Sequence, residues 1–246
     1  MTTLIKNGTN IIIDPNSERY TWWIRYFIAW EIETFKVFDI YLKPNQNFID
    51  IGAWVGTTSL YGGYKSDKVF SIEPDPNSLI DFKKNIKINN LDNKILICEQ
   101  PIAGTVKEVI FGPNDYIGCG TWNESISYIK NKKSNNLDIV FTTITFKEFI
   151  KKYNIDNVSL IKIDIEGGEE DIIEDIFQEA ENLKNPSIYL SFHLDWWKDK
   201  NINRFEKHWN KYKYNYYQLK LIQNTEIANI IIQNPFESIL FSDIPI

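Results

Sequence analysis

The chain has 246 residues, 43% of them hydrophobic, so it can bury the core of one domain of ordinary size. Its formal net charge of -6 disfavours nucleic acid as the main ligand, because proteins that bind phosphate backbones cluster Lys and Arg. The two cysteines, Cys98 and Cys119, have no metal-ligand spacing. Such sparse cysteine usage is typical of a reducing compartment, and we expect a cytoplasmic protein.

The N-terminal part of the chain predicts a helical extension. Its most apolar stretch, YTWWIRYFIAW, contains Arg25 and runs into Glu31 and Glu33, so it is neither a signal peptide nor a membrane span. We interpret this stretch as an amphipathic helix. The sequence therefore predicts a single domain over residues 1–246, with residues 1–46 as an N-terminal helical extension.

The following part of the chain alternates short apolar runs with helical patterns, which predicts a doubly wound α/β sheet. Strands buried on both faces are predicted at 47–51, 68–72, 94–98, 159–163 and 187–192. Helices are predicted at 55–64, 76–88, 146–153 and 168–180. Near the C terminus, YNYYQLKLI and FESILF predict an antiparallel edge hairpin on the mostly parallel sheet.

The first of these strands ends in a glycine turn. Asp50 is followed by Gly52 and Gly56, and turns of this kind let backbone approach a ligand closely because no Cβ intervenes. A dinucleotide fingerprint starting at Gly52 would need glycine where Trp54 and Thr57 stand. No Gly-Lys-Ser/Thr sequence follows either, which excludes a P-loop.

An acid, Glu73, stands at the end of the next predicted strand, 23 positions after Asp50. Because the carboxyl ends of parallel strands meet at one edge of a sheet, this carboxylate can accept hydrogen bonds from both ribose hydroxyls of a nucleoside. Taken alone, Glu73 would be an ordinary strand-end carboxylate. Together with the glycine turn, it favours a site for a nucleoside-containing cofactor.

Four segments resemble, in order and spacing, the motifs of the FkbM-type S-adenosylmethionine-dependent methyltransferases. They are FIDIGAWVGTTSL, VFSIEPDPNSLIDFKKNIKINNL, FTTITFKEFIKKYNIDNVSLIKIDIEGGEEDII and SIYLSFH. The resemblance covers residues 31–193, and the combination is more specific than any single piece. It implies a Rossmann-like class I methyltransferase fold with a seven-stranded sheet. It also implies S-adenosylmethionine as cofactor and, usually, methylation of a hydroxyl oxygen.

The resemblance further implies roles for single residues in cofactor binding. Gly52 and Gly56 would line the methionine portion, and Asp50 would support its amino group directly or through water. Glu73 would hold the ribose. The remaining implied cofactor contacts are Pro74 and Asp75 on the adenine side, Gln100 to Ala103 at the border of the adenine ring, and Asp164 near the methyl group.

Methyl transfer to a hydroxyl requires removal of a weakly acidic proton, and two predicted strand ends carry suitable groups. By resemblance, Asp164, Glu166 and Gly167 face the methyl group and the acceptor. His193 can act as general base, or it can be an ordinary strand-end histidine. Asp164 can orient His193, take the proton itself, or hold a divalent cation that acidifies the hydroxyl. Metal dependence therefore stays open.

The acceptor predicted from the sequence is a saccharide or glycoconjugate. Aromatic rings suit the C–H faces of sugars, and Trp122 and Trp197 are the candidate platforms, with the polar segment 112–137 above the site. Trp54 stands where the family commonly has asparagine, which affects the entrance for the acceptor. A nucleic acid or protein acceptor is an alternative, as is a catalytically inactive interaction module. The oligomeric state is not predicted.

Overall fold

The computed structural model describes residues 1–14, 21–113, 127–130, 132–133, 136, 138–209, 214–217, 220–222 and 227–243. The strands described are β1 (Thr2–Lys6), β2 (Thr9–Ile13), β3 (Asn47–Ile51), β4 (Val69–Ile72), β5 (Ile95–Cys98), β6 (Glu108–Pro113), β7 (Ser127–Lys130), β8 (Ile139–Thr142), β9 (Val158–Ile163), β10 (Ser187–Ser191), β11 (Tyr214–Tyr217), β12 (Lys220–Ile222) and β13 (Ser238–Ser242). The α-helices described are α1 (Thr21–Tyr26), α2 (Ile32–Tyr41), α3 (Thr57–Lys65), α4 (Pro76–Ile88), α5 (Phe146–Tyr153), α6 (Glu169–Glu179), α7 (Glu206–Trp209) and α8 (Ile227–Gln233).

The central sheet has eight strands in the order β12-β11-β13-β10-β9-β3-β4-β5. The strands from β10 to β5 run parallel to their neighbours, whereas β13, β11 and β12 pair antiparallel. The predicted mostly parallel α/β sheet with an antiparallel edge is therefore confirmed. It has one strand more than predicted, because Tyr214–Tyr217 and Lys220–Ile222 are two paired strands where the sequence predicts one.

The parallel strands are continuous apolar runs because helices cover both faces of the sheet. All six residues of β9 are buried. Neighbouring residues of β3 point to opposite faces of the sheet. Phe48 packs edge-on against Phe38 of α2, with 5.1 Å between the ring centroids. Ile49 belongs to the buried cluster that contains Ile172 of α6. The carboxyl ends of the strands are left for the connecting loops.

The N-terminal segment of residues 1–46 contains a β-hairpin as well as the two helices α1 and α2. Leu4, Lys6, Ile11 and Ile13 occupy the buried positions of the alternating hairpin strands. The turn consists of Asn7 and Gly8, both in the left-handed region with φ of 46° and 76°. Asn-Gly is a strong sequence signal for such a turn, and the helical prediction overlooked it.

A smaller antiparallel sheet, β7-β6-β8, lies between β5 and α5 in the chain. The sequence predicts irregular structure for 112–137, most of which lies outside the described residues. Its described parts belong to β6 and β7, apart from residues 132–133 and 136. Among the described residues, the helices are all too short or too polar to cross a membrane.

Gly56 directly precedes α3, and a side chain at this position would be obstructed. Its φ is 88°, and an added Cβ would collide with the ring of Phe82, which is fully buried. Gly8 has a similar φ of 76° but no atom within 4 Å of an added Cβ, so Gly8→Ala is a matched control for backbone strain alone.

We expect Gly8→Ala to lower the free energy of unfolding by about 1 kcal/mol, the cost of a left-handed non-glycine residue. Gly56→Ala should lower it by about 3 kcal/mol, because overpacking adds to the same strain. Equilibrium unfolding in urea measures both values. Equal losses in the two variants would contradict a steric role for Gly56.

Candidate active site

A cavity of about 680 Å³ opens at the carboxyl ends of the parallel strands. Its walls come from the turn after β3, the loop after β4, the segment after β5 and the residues that follow β9. This is the edge of a doubly wound sheet at which ligands bind. The volume suits a small molecule, since such sites enclose roughly 300–1,000 Å³.

The glycine turn after β3 brings two strand ends into contact. Gly52 has a φ of 84°, and an added Cβ would collide with the carbonyl oxygen of Asp164 at the end of β9. Trp54, also on the cavity wall, has a φ of 50°, a strained conformation for a large side chain. The backbone N–H of Trp54 donates a hydrogen bond of 2.7 Å to Glu73 Oε2, which holds the turn against the next loop.

Asp50 lies behind the cavity wall, fully buried under the turn. Its Oδ2 accepts hydrogen bonds from Thr58 Oγ1 at 2.7 Å and Ser59 Oγ at 2.5 Å, in the first turn of α3. Its Oδ1 is 3.5 Å from Lys162 Nζ. Asp50 thus joins β3 to α3 and β9. Neither Asp50 nor Gly56 is among the residues that line the cavity.

Glu73 presents a carboxylate to the cavity from the end of β4. Its Oε1 accepts a hydrogen bond of 2.8 Å from Asp75 N, and its Oε2 accepts the one from Trp54 N. Burial, reinforced by the charge of Asp75, outweighs these backbone donors and raises the pKa of Glu73 to about 8. Asp75 also lines the cavity and caps α4 by accepting hydrogen bonds from Asn77 N and Ser78 N.

The predicted adenine side is only partly on the cavity wall. Pro74 lines the cavity, and so do Pro101 and Ile102 from the segment after β5. Gln100 bonds to the carbonyl at the end of β8 and to a lysine of α5 instead. Ala103 is fully buried and does not reach the cavity. Of the predicted residues 100–103, Pro101 and Ile102 can therefore contact a ligand.

Two carboxylates and an imidazole meet beyond the ends of β9 and β10. His193 Nε2 is 3.6 Å from Asp164 Oδ1 and 3.5 Å from Glu166 Oε2. On its other side, His193 Nδ1 is 2.7 Å from Glu169 Oε1. Glu166 has a left-handed φ of 56°, followed by Gly167 at 93°, and this reversal directs the chain back towards α6. Asp164 and Glu166 line the cavity.

The charges within this cluster of Asp164, Glu166 and His193 depend on one another. Desolvation opposes protonation of His193, but the hydrogen bond with Glu169 and the surrounding carboxylates outweigh it and raise the pKa of His193 to about 9. Burial raises the pKa of Glu166 to about 7, although the charge of His193 acts in the opposite direction. At neutral pH His193 is therefore positively charged, and Glu166 is close to its titration midpoint.

The same cluster has the composition of a cation site. Asp164, Glu166 and His193 each offer one ligand atom, and these atoms all lie within 4.8 Å of one another. Glu169 orients the imidazole from behind, as carboxylates often do for metal-binding histidines. The arrangement can thus hold a divalent cation or move a proton.

Glu169 is a positioning residue that the sequence did not reveal, because it resembles any acid in the first turn of a helix. It is fully buried and also accepts a hydrogen bond of 3.1 Å from the indole N–H of Trp197. Trp197 packs against Phe192 and Phe205 and lies away from the cavity wall, because that hydrogen bond draws it into the core.

The neighbouring Trp196, rather than the predicted Trp197, presents an aromatic ring to the cavity. Trp196 is 39% exposed, lines the cavity and stacks on His193 with a ring distance of 5.3 Å and an interplanar angle of 11°. Trp122, the other predicted platform, lies outside the described residues. Trp54 also lies on the wall of the cavity.

The residues on the cavity wall that the sequence did not reveal include Lys162, Trp30 and Glu31. Lys162 Nζ donates a hydrogen bond of 3.0 Å to the carbonyl oxygen of Gly52. A lysine inside a fully buried strand is a signal that could have identified it, since buried charges need partners. Trp30 and Glu31 precede α2 and carry no comparable signal in the sequence.

Comparison with known families gives one match. The model of the methyltransferase FkbM domain matches residues 50–223, a range that includes Glu73, Asp164, Glu166 and His193. No curated protein sequence matches this chain.

Solved structures resemble the fold only distantly. They include a precorrin-6y C5,15-methyltransferase from Geobacter metallireducens at 13% identity, with 86% of this chain and 87% of that chain covered and a TM-score of 0.45. An O-methyltransferase from Bacillus cereus in complex with SAH has 11% identity, 85% and 78% coverage, and a TM-score of 0.46. An rRNA methylase from Streptococcus thermophilus has 8% identity, 83% and 90% coverage, and a TM-score of 0.44.

Proposed function

The chain belongs to the FkbM methyltransferase family, and we propose that it transfers the methyl group of S-adenosylmethionine to a hydroxyl oxygen of a saccharide or glycoconjugate. One observation carries this proposal. A single cavity is lined both by Glu73, a carboxylate suited to ribose, and by Asp164 and Glu166, carboxylates suited to an acceptor hydroxyl. Bound S-adenosylmethionine supplies an electrophilic methyl group. The protein must bind the cofactor, orient the acceptor hydroxyl and remove its proton.

The residues of the cavity suit this cofactor. Glu73 can accept hydrogen bonds from the ribose hydroxyls, and Pro74 and Asp75 lie beside it for the base. The backbone of Gly52 would adjoin the methionine portion, where the absence of a Cβ already allows close packing of two strand ends. Trp54 stands where a dinucleotide fingerprint needs glycine and would obstruct a pyrophosphate, so a dinucleotide suits the cavity less well.

Proton removal is assigned to the cluster of Asp164, Glu166 and His193. In-line displacement requires the acceptor oxygen to lose its proton, and His193 already carries one at neutral pH. We therefore assign the base to Glu166, whose pKa near 7 suits the task. Asp164 orients the hydroxyl, and the positive charge of His193 stabilises both carboxylates at distances of 3.5–3.6 Å.

Aromatic surface around the cavity favours a saccharide acceptor. Trp196 faces the cavity beside His193 and contacts Phe236, which is 55% exposed, at a ring distance of 5.6 Å. Trp30 and Trp54 add further aromatic wall. Rings of this kind pack against the C–H faces of sugars, while neighbouring charged side chains suit their hydroxyl groups.

The cofactor assignment predicts a strong dependence on Glu73. At pH 8.5, where Glu73 is mostly ionised, Glu73→Gln should raise the dissociation constant of S-adenosylmethionine at least about tenfold, because charge-assisted hydrogen bonds to the ribose are lost. Isothermal titration calorimetry measures this value. Glu99→Gln is the control, since Glu99 is an exposed acid after the next strand and pairs only with Lys83 in the part of the chain that the structure describes. Unchanged affinity in Glu73→Gln would remove the ribose assignment.

The base assignment predicts a defined pH profile. Glu166 must be ionised to accept a proton, so turnover should be low below pH 7 and rise as the pH passes through about 7. His193→Gln should move this rise to higher pH, because the lost positive charge had lowered the pKa of Glu166. Glu166→Gln should lower turnover about a hundredfold while cofactor affinity stays within severalfold.

Glu174→Gln, which removes an exposed acid on α6, is the matched control and should keep the wild-type profile. Wild-type turnover in Glu166→Gln would refute its role as base. Activity that disappears with a chelator and returns with magnesium would instead assign the cluster to a bound cation.

The acceptor assignment predicts methylation of saccharides and a dependence on Trp196. Labelled S-adenosylmethionine is offered with a panel of deoxysugar glycosides, short RNAs and peptides. Trp196→Ala should raise the KM for the saccharide about tenfold and leave cofactor affinity unchanged, because only the aromatic platform is lost. Label in RNA or peptide alone would contradict the saccharide assignment, and cofactor binding without any transfer would favour an interaction module.

A further inference from the structure

The N-terminal segment contributes two side chains to the cavity from outside the family-matched range. Trp30 and Glu31 line the cavity, whereas the family model begins at residue 50. They lie in the turn between α1 and α2, and Glu31 directly precedes α2. This turn therefore completes a site that the matched range of the chain leaves open.

Lys6 of the β-hairpin holds this turn in place. The residue is only 4% exposed, and its Nζ donates hydrogen bonds to the carbonyl oxygens of Phe27 at 3.0 Å, Ile28 at 3.0 Å and Trp30 at 2.5 Å. The same ammonium lies over the rings of Phe27 and Phe35, at 5.3 and 4.8 Å from their centroids. Three carbonyls fixed by one buried charge leave the turn little freedom to move.

The backbone of Glu31 is strained in a way that directs its side chain. With φ of 46° and ψ of 48°, the residue adopts the left-handed conformation that glycine tolerates best. Residues held in such conformations cluster at binding and catalytic sites. Here the strained residue places a carboxylate on the wall of the cavity.

Around Glu31 the carboxylates outnumber the ammonium groups, so this part of the cavity can accept a further cation. Its carboxylate interacts with Asp164, Asp50 and Lys162, so three acids share the ammonium of Lys162. Burial raises the pKa of Glu31 to about 7, and the charge of Asp164 adds to this effect. Lys162 in turn donates a hydrogen bond to the carbonyl of Gly52. The excess of carboxylates around Lys162 therefore lies next to the turn that is assigned to the methionine portion.

We propose that Glu31 binds the α-ammonium group of the methionine portion of S-adenosylmethionine, so that the N-terminal segment completes the cofactor site. The inference rests on the proposed function. An ammonium group donates three hydrogen bonds and carries the charge that this end of the cavity needs. The ribose hydroxyls are neutral and are assigned to Glu73, and the sulfonium has no hydrogen to donate.

The test compares two ligands that differ by the amino acid. S-adenosylhomocysteine carries the α-ammonium group, whereas 5′-methylthioadenosine keeps the nucleoside and the sulfur but lacks it. In calorimetry at pH 8, Glu31→Gln should weaken binding of S-adenosylhomocysteine about tenfold or more and change that of 5′-methylthioadenosine less than twofold. Glu73→Gln should weaken both ligands, because both contain the ribose.

Glu33→Gln is the matched control: it removes an exposed acid two residues away and should leave both affinities unchanged. Lys6→Met should reproduce the selective loss by releasing the turn. Unchanged binding of S-adenosylhomocysteine in Glu31→Gln would overturn the proposal, and equal weakening of both ligands would overturn it in favour of a purely structural role. Wild-type protein that binds neither ligand would refute the proposed function itself, so the two failures differ.

Discussion

The close approach of Gly52 to the end of β9 is the constraint on which the site depends. Because Gly52 has no Cβ, its backbone can lie against the carbonyl oxygen of Asp164, and Lys162 then joins the two strand ends through the carbonyl of Gly52. Asp50, buried under the glycine turn, adds a third connection through its contact with Lys162. A larger residue at position 52 would separate the glycine turn from the acidic motif, and the two halves of the cavity would no longer face each other.

The ionisable groups of the cavity are balanced only in part. His193 neutralises some of the charge of Asp164 and Glu166, and Glu169 keeps it oriented for that purpose. Glu73, by contrast, has backbone N–H groups as partners for both of its oxygens, and burial still raises its pKa to about 8. Carboxylates held near their titration range by desolvation gain most from a ligand that offers donors or positive charge. The proposed cofactor offers both.

Local signals in the sequence were sufficient for the central fold but not for the walls of the cavity. The bounds of α4 and α5 agree with the prediction because each helix begins after a capping side chain, Asp75 and Thr145. Strand ends are local features too, and Glu73 and Asp164 do lie at one edge of the sheet. Trp196 and Trp197 could not be told apart, because their orientation depends on the buried Glu169 of α6 and on packing from distant parts of the chain. The position of Glu31 depends on the hairpin, because Lys6 holds the turn that contains Glu31. These hydrogen bonds connect residues more than twenty positions apart, which local sequence signals do not show.

Trp54 connects the two halves of the proposed reaction. Asparagine, common in the family at this position, tolerates the left-handed conformation with less strain than tryptophan does. The strain is offset here by the hydrogen bond from the backbone N–H of Trp54 to Glu73, so the carboxylate assigned to the ribose also fixes an aromatic wall. Binding at Glu73 and the shape of the acceptor entrance are therefore coupled through one peptide group. Trp54 suits the turn less well than asparagine, but it offers a larger aromatic surface. Such a surface is consistent with an acceptor that presents apolar C–H faces, as a saccharide does.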